Sequence, residues 1–284
     1  MLLLALDTST RSASVALCSE NELLSEYTWY AENNHSVDLL DRIQRITVER
    51  QISLQQLDAV AVTTGPGSFN ALRVALTAAK SLAFAIEKPL FGVTTLDLIA
   101  AEQQQWNGVI CSVLEAGRSE LYAAFYRCIP VRQSSIVSYE LRQLSDYMLC
   151  PPAQLASYLN KHRQTWNVDR FNPVLFCGEM KSLSWQALQQ GITVSPVDKA
   201  SGMELALLRD GLASTRHAAT LAQLAFQRLQ HGKADDPLLL EPLYLRRPSI
   251  TKSTRKQALF ASDSQRPTGH DDMTEEREQG ALRR

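Results

Sequence analysis

The sequence predicts a two-lobed α/β protein, and three observations predict it. Residues 1–105 alternate strand-like and helix-like segments in the order β-β-β-α-β-α-β-α. Within them, one apolar strand runs through a glycine turn straight into an alanine-rich helix, and a second set of strands begins after residue 106. At 284 residues, 45% hydrophobic and 21% charged, the chain is long enough for one large domain or two lobes with a sizeable core.

The elements follow in order. Leu2–Leu6, Ser14–Cys18 and Leu23–Tyr30 are apolar or β-branched runs separated by the turns Thr8–Arg11 and Ser19–Asn21, which reads as three consecutive strands. From Ser36, a candidate N-cap, apolar residues at 37, 39, 40, 43 and 46 recur at helical spacing and predict a helix over 36–50. Leu57–Val62 is the next strand; it ends in Thr63-Thr64-Gly65-Pro66-Gly67-Ser68 before a helix from Phe69 to about Ile86. Leu90–Gly92 and Leu96–Gln104 supply a short strand and a helix that close the first lobe, 1–105.

The second lobe, 106–214, opens with strands Val109–Leu114 and Leu121–Arg127 around the turn Glu115–Arg118. Helices are expected at 153–160 and 182–190, strands at Val174–Cys177 and Ile192–Val194, and loop at 129–152 and 195–203. A returning segment, 215–248, holds a helix over 216–231 with Ala218, Leu221, Leu224, Ala225 and Leu229 on one face, closed by Gly232, and then Pro242-Leu243-Tyr244-Leu245-Arg246. Residues 249–284 read as a disordered tail, because 251–284 hold seven basic and six acidic residues among few apolar ones. No tandem repeat is visible; the two lobes are compatible with an old structural duplication that the sequence no longer displays.

Several classes are argued against. A net charge of -1 and a pI near 6.5 give no bulk attraction for nucleic acid or anionic membrane. Cysteines at 18, 111, 128, 150 and 177 form no C-x-x-C pair, which fits neither a disulfide framework nor a zinc site and points to a reducing compartment. The apolar opening MLLLAL is too short for a signal or membrane segment, so a cytoplasmic protein is expected. Histidines 35, 162, 217, 231 and 270 contain no pair at i,i+4, so no helical metal site is expected. There is no G-x-S-x-G elbow, and no serine or cysteine has an evident histidine partner. No catalytic residue is expected.

What remains is a set of binding candidates. Asp7, with Thr8, Ser9 and Thr10, places a carboxylate and three hydroxyls in a strand-to-strand turn, where sugar kinases, actin and heat-shock ATPases hold a phosphate or its metal; capping of a hairpin is the plainer alternative. Gly65 and Gly67 allow close backbone approach before a helix start, although the spacing is not that of a P-loop and a turn stiffened by Pro66 is the simplest reading. Glu115 and Arg118 sit in the hairpin that opens the second lobe, with Glu120 following; this is either a charged turn or a cleft group. The helices 36–50 and 69–86 carry more apolar surface than one core face needs. Leu39, Leu40, Ile43, Leu72, Leu76, Ala79 and Leu82 are therefore candidates for a partner surface as well as for the core.

In combination, LALDTSTRSASVAL (4–17), His35-Ser36 with Leu39-Leu40, AVTTGPGSFNALR (61–73), the helix ending near Ile86, EAGRSELYAAFY (115–126) and Pro242–Arg246 resemble the TsaB (YeaZ) family. Members of that family are required for the threonylcarbamoyl (t6A) modification of a tRNA adenosine. The resemblance implies an actin-like ATPase (ASKHA, ribonuclease H-like) fold without catalysis. It also implies a heterodimer with a TsaD-like catalytic subunit, a TsaE-like ATPase as third component, and a homodimer when alone. The helices 36–50 and 69–86 would form the dimer surface. ATP or ADP would sit at the partner interface if anywhere, tRNA would be reached only indirectly, and no membrane is involved. Asn70-Ala71 stands where the family has Thr-Gly, and Glu115-Ala116-Gly117 where it has Asp-Ala-Arg. A self-sufficient ASKHA-type ATPase or kinase, built on Asp7 and the glycine turn, and a peptidase are the rival readings.

Overall fold

In the computed structural model, which describes residues 1–31, 35–133, 136–169, 171–193, 204–209 and 215–246, the fold is carried by two mixed sheets. The first contains β1 (Leu2–Asp7), β2 (Ser12–Ser19), β3 (Leu23–Tyr30), β4 (Ala59–Gly65) and β5 (Leu90–Thr94), in the order β3-β2-β1-β4-β5. β1, β2 and β3 form an antiparallel meander, and β4 and β5 add in parallel beside β1. The second contains β6 (Ile110–Glu115), β7 (Leu121–Gln133), β8 (Ile136–Gln143), β9 (Met148–Cys150), β10 (Val174–Glu179) and β11 (Ala206–Leu208). Its path is β8-β7-β6-β10-β11, with β6 to β8 antiparallel and β10 and β11 parallel to β6, while β9 pairs with β7. The two sheets thus repeat one topology, the doubled arrangement of an actin-like fold.

Among the described residues, six helices cover the four sheet faces: α1 (His35–Glu49), α2 (Phe69–Ala85), α3 (Thr95–Ala101), α4 (Pro152–His162), α5 (Ser182–Gly191) and α6 (Ala218–Gln230). Successive side chains of a strand point to opposite faces. Leu4, Leu6, Val15 and Val62 accordingly meet Leu39, Ile43, Leu76 and Ala79 of α1 and α2, while Leu3, Ala5, Ala16 and Ala61 meet Ala218, Leu221 and Ala225 of α6. In the second sheet Val113, Phe125 and Phe176 meet Leu155, Leu159 and Leu188 of α4 and α5, and Ile110, Leu114 and Tyr126 meet Leu96, Ile99 and Ala100 of α3. Burial on both faces is why the parallel strands read as unbroken apolar runs. The crossovers are exchanged: α3 leaves the first sheet to cover the second, and α6 leaves the second to cover the first.

Residues 129–152, expected from the sequence to be loop-rich, are not. They continue β7 and form β8 and β9. Pro130 is what argues against a strand, yet it lies beyond Tyr126, where β7 has lost β6 as a neighbour and pairs only with β8, so no ladder bond needs its missing N–H. Ile192 is not in a strand either; it closes α5, and Ala206–Leu208 takes the edge position instead. Ser36 lies in the first turn of α1 rather than capping it, since the helix begins at His35. Val194, the 195–203 loop and the 249–284 tail lie outside the described residues. Among the described residues no helix is long and apolar enough to cross a membrane.

After α6 the chain turns at Gly232 (φ 64°) and runs as a strap beside β5. Asp235 bridges to Leu90, Leu240 packs on the core under α2, the Leu243 N–H donates to the Thr64 carbonyl at 2.7 Å, and Tyr244 lies 5.3 Å from the Phe69 ring. Arg246 then pairs with Glu120 in the second lobe.

Candidate functional site

β1 and β10 end at the floor of a cleft of about 710 Å³, lined among others by Thr10, Ser12, Gly67, Ser68, Glu179 and Arg216. Asp7, the last residue of β1, is fully buried there. Its Oδ1 accepts the Ser9 N–H at 2.9 Å, the Ser9 hydroxyl at 2.6 Å and the Thr63 hydroxyl at 2.8 Å; its Oδ2 accepts Arg216 Nε at 2.9 Å. Burial alone would push this carboxyl up, but the Arg216 guanidinium and the Ser9 bonds hold it below the ordinary carboxylate range.

Arg216, only 1% exposed, spans both lobes. Nη1 donates to Glu179 Oε1 at 2.6 Å, and Nη2 donates to Thr10 Oγ1 at 2.6 Å and to the Ser12 carbonyl at 2.8 Å. Thr10 Oγ1 in turn donates to Glu179 Oε1 at 2.6 Å. Burial opposes the charge of Arg216, while Asp7 and Glu179 raise its pKa, so it stays protonated.

The other phosphate candidates are engaged within the chain. Thr8 Oγ1 donates to the Ala71 carbonyl at 2.6 Å. The Ser68 N–H donates to the Ser9 carbonyl at 2.7 Å, and a Cβ on Gly67 would lie 2.1 Å from that same oxygen, so the close approach Gly67 permits is an approach of one turn to the other. Gly65, at φ 102°, lies against Leu72 and the Leu243 carbonyl. Glu115 ends β6 as Asp7 ends β1, and it is occupied likewise: its Oε1 accepts the Lys181 N–H at 2.9 Å and the Ser184 hydroxyl at 2.7 Å at the start of α5. Arg118 lies exposed at the hairpin tip with φ 55°, and Glu120 holds Arg246.

The partner-surface candidates divide. Leu39, Ile43, Leu72, Leu76 and Ala79 are between 0 and 8% exposed, because they face the sheet, and their area is spent on the first lobe's own core. Leu40, at 59%, looks outward, and Leu82 is half-buried. Val37 and Val48 are exposed beside Leu40 on α1, and Phe84 is exposed on α2. The exposed apolar stripe of α1 is therefore Val37-Leu40-Val48, which the sequence reading caught only at Leu40.

Among the described residues no cluster of His, Cys, Asp and Glu could hold a metal ion. His162 packs on Tyr158 and Trp166, and His217 faces Glu102. The side chain of His35 lies outside the described residues. All five cysteines are free and buried.

Arg216 and Glu179 were missed by sequence reasoning. A signal for Arg216 existed: α6 begins only at Ala218, and a basic residue just before a helix start opposes the helix dipole unless an anion holds it there.

A family model described as TsaD, tRNA N6-adenosine threonylcarbamoyltransferase, matches residues 29–253. The tRNA threonylcarbamoyladenosine biosynthesis protein TsaB of Bacillus subtilis is 29% identical over 189 residues, covering 66% of this chain and 76% of that one. The TsaB of Haemophilus influenzae is 31% identical over 162 residues, covering 56% of this chain and 68% of its own. Among solved structures, YeaZ from Pseudomonas aeruginosa superposes with a TM-score of 0.65 at 26% identity, over 86% of this chain and 99% of that one.

Proposed function

Since the chain belongs to the TsaB family of tRNA threonylcarbamoyladenosine biosynthesis proteins, non-catalytic accessory proteins of t6A formation, we propose that it works by binding and activating a TsaD-like catalytic subunit, with a TsaE-like ATPase as third component. The observation that carries this reading is the saturation of Asp7: the carboxylate that the β1–β2 turn would offer to a phosphate or its metal already accepts four bonds from within the chain. A self-sufficient ATPase or kinase needs that group free. ATP or ADP, if used, belongs at the interface with the partner; tRNA is reached through the partner, and the complex works in the cytoplasm.

The surface for the partner is the outward side of α1 and α2, with Val37, Leu40, Val48 and Phe84 as anchors and Leu82 at its edge. A second copy of the chain competes for the same face when the protein is alone. The test is reconstitution with the TsaD-like and TsaE-like proteins of the same organism. The chain alone forms no t6A and restores it when added to the other two. Leu40→Asp abolishes restoration and co-elution while the melting temperature holds, whereas Leu76→Asp, in the core, loses the fold itself. Full restoration by a folded Leu40→Asp protein refutes the surface, and absence of any complex with the TsaD-like subunit refutes the role.

A further inference from the structure

We propose that the cage formed by Asp7, Thr10, Ser12 and Glu179 is an interlobe cation site which the chain fills with its own Arg216, and that this internal occupant, rather than a ligand, sets the opening of the cleft. The cage draws on both sheets. Asp7, Thr10 and Ser12 come from the β1–β2 turn of the first, Glu179 from the end of β10 in the second, and Arg216 from the segment that carries the chain back between them. The two carboxylates supply two negative charges, and the hydroxyl and carbonyl supply further oxygens, around a group that is 1% exposed. A planar guanidinium with its donors in a fixed fork suits such a ring of oxygens better than a flexible ammonium.

The crossovers α3 and α6 pack against each other and on opposite sheets, which leaves sliding of packed helices as the route by which the cleft opens. Arg216 blocks that route at its origin. It sits two residues before α6 and holds both sheets at once, while the next residue, His217, donates its N–H to Glu102 just past α3 at 2.8 Å. Removing either end of the bridge has a distinct result. Without Arg216, the buried Asp7 and the half-exposed Glu179 lose their shared counter-charge, and the cage becomes an acceptor for a small cation of matching shape. Without Glu179, half-exposed at 46%, the buried Asp7–Arg216 pair survives and only the link to the second sheet is cut.

The experiment measures the lobe-to-lobe distance distribution with spin labels at Thr28 on β3 and Leu183 on α5, both exposed, in the full chain. The parent protein gives one narrow peak that Mg-ATP leaves unmoved. Arg216→Ala loses that peak to a broad, longer distribution, and millimolar methylguanidinium restores it. Glu179→Ala broadens the distribution with the melting temperature nearly unchanged, and methylguanidinium does not restore it. A narrow parental peak in Glu179→Ala overturns the proposal even if Arg216→Ala fails to fold. So does a broadened Arg216→Ala that methylguanidinium leaves broad, or a parent peak that Mg-ATP shifts.

Discussion

Replacing Gly67 with alanine tests whether the glycine turn serves a ligand or the fold. An added Cβ would stand 2.1 Å from the Ser9 carbonyl oxygen and 2.9 Å from its carbonyl carbon. Carbon–oxygen contacts settle near about 3.3 Å, so the two turns must part by about 1 Å. The obstacle is backbone, and no rotamer relieves it. Parting the turns weakens the 2.7 Å bond from the Ser68 N–H to Ser9 and drags the Ser9 donors away from Asp7. Overpacking of about 1–3 kcal/mol and about 1 kcal/mol in all for three bonds that lengthen without breaking give a loss of about 3 kcal/mol. In a chain of this size each kcal/mol moves the melting temperature by about 2–4 °C, so Gly67→Ala should melt about 6–12 °C below the parent, by circular dichroism or calorimetry. Gly117→Ala is the comparison: nothing lies within 4 Å of its Cβ, and only the left-handed φ of 70° costs it about 1–2 kcal/mol. If Gly67→Ala melts with the parent, the turn is not packed on Ser9 as described. A turn held open for a phosphate would instead lose nucleotide affinity without losing stability.

Two further predictions concern buried carboxyls whose pKa values move in opposite directions. Asp7 has a lowered folded pKa, so its contribution to stability is complete above the unfolded value of about 3.9 and is lost as pH falls through the folded one. Asp7→Asn should cost about 3 kcal/mol at pH 7 by leaving Arg216 short of a counter-charge, and it should flatten the acid limb of a urea-midpoint-versus-pH curve; a limb as steep as the parent's refutes the assignment. Asp97, which accepts the Tyr126 hydroxyl at 2.8 Å and the Tyr147 hydroxyl at 3.0 Å, is raised by burial despite these bonds. Its protonated form is the one the fold prefers, so stability falls as pH rises from about 4 through the folded pKa. Asp97→Asn should therefore gain up to about 1 kcal/mol at pH 8 and nothing at pH 4, and a variant less stable than the parent at pH 8 contradicts this.

The first lobe was legible because its signals are local. Strands of unbroken apolar residues, a glycine turn and a helix of small residues each announce themselves within a short window, and β1 to β5 stand within a few residues of where the sequence puts them. The middle of the second lobe was not. Pro130 reads as a break unless one knows that β7 has shed a neighbour there, and the edge strand β11 has only three residues. At the site, Asp7 and the glycine turn were visible, but what occupies Asp7 comes from 209 residues away. Periodicity in α1 and α2 marks apolar faces without saying which one meets the sheet, so Leu39 and Leu40 look equivalent until the sheet is in place; one is 0% and the other 59% exposed.

The exchange of α3 and α6 between sheets bears on how the chain acquires its structure as it is made. When the first five strands have emerged with α1 and α2, one side of their sheet is covered and the other, with Leu3, Ala5, Ala16 and Phe91, is bare. Its cover is α6, which is synthesised only after the whole second sheet. Folding from the N-terminus therefore cannot finish the first lobe before the whole second sheet has been made, and neither half cut from this chain would have a closed core of its own.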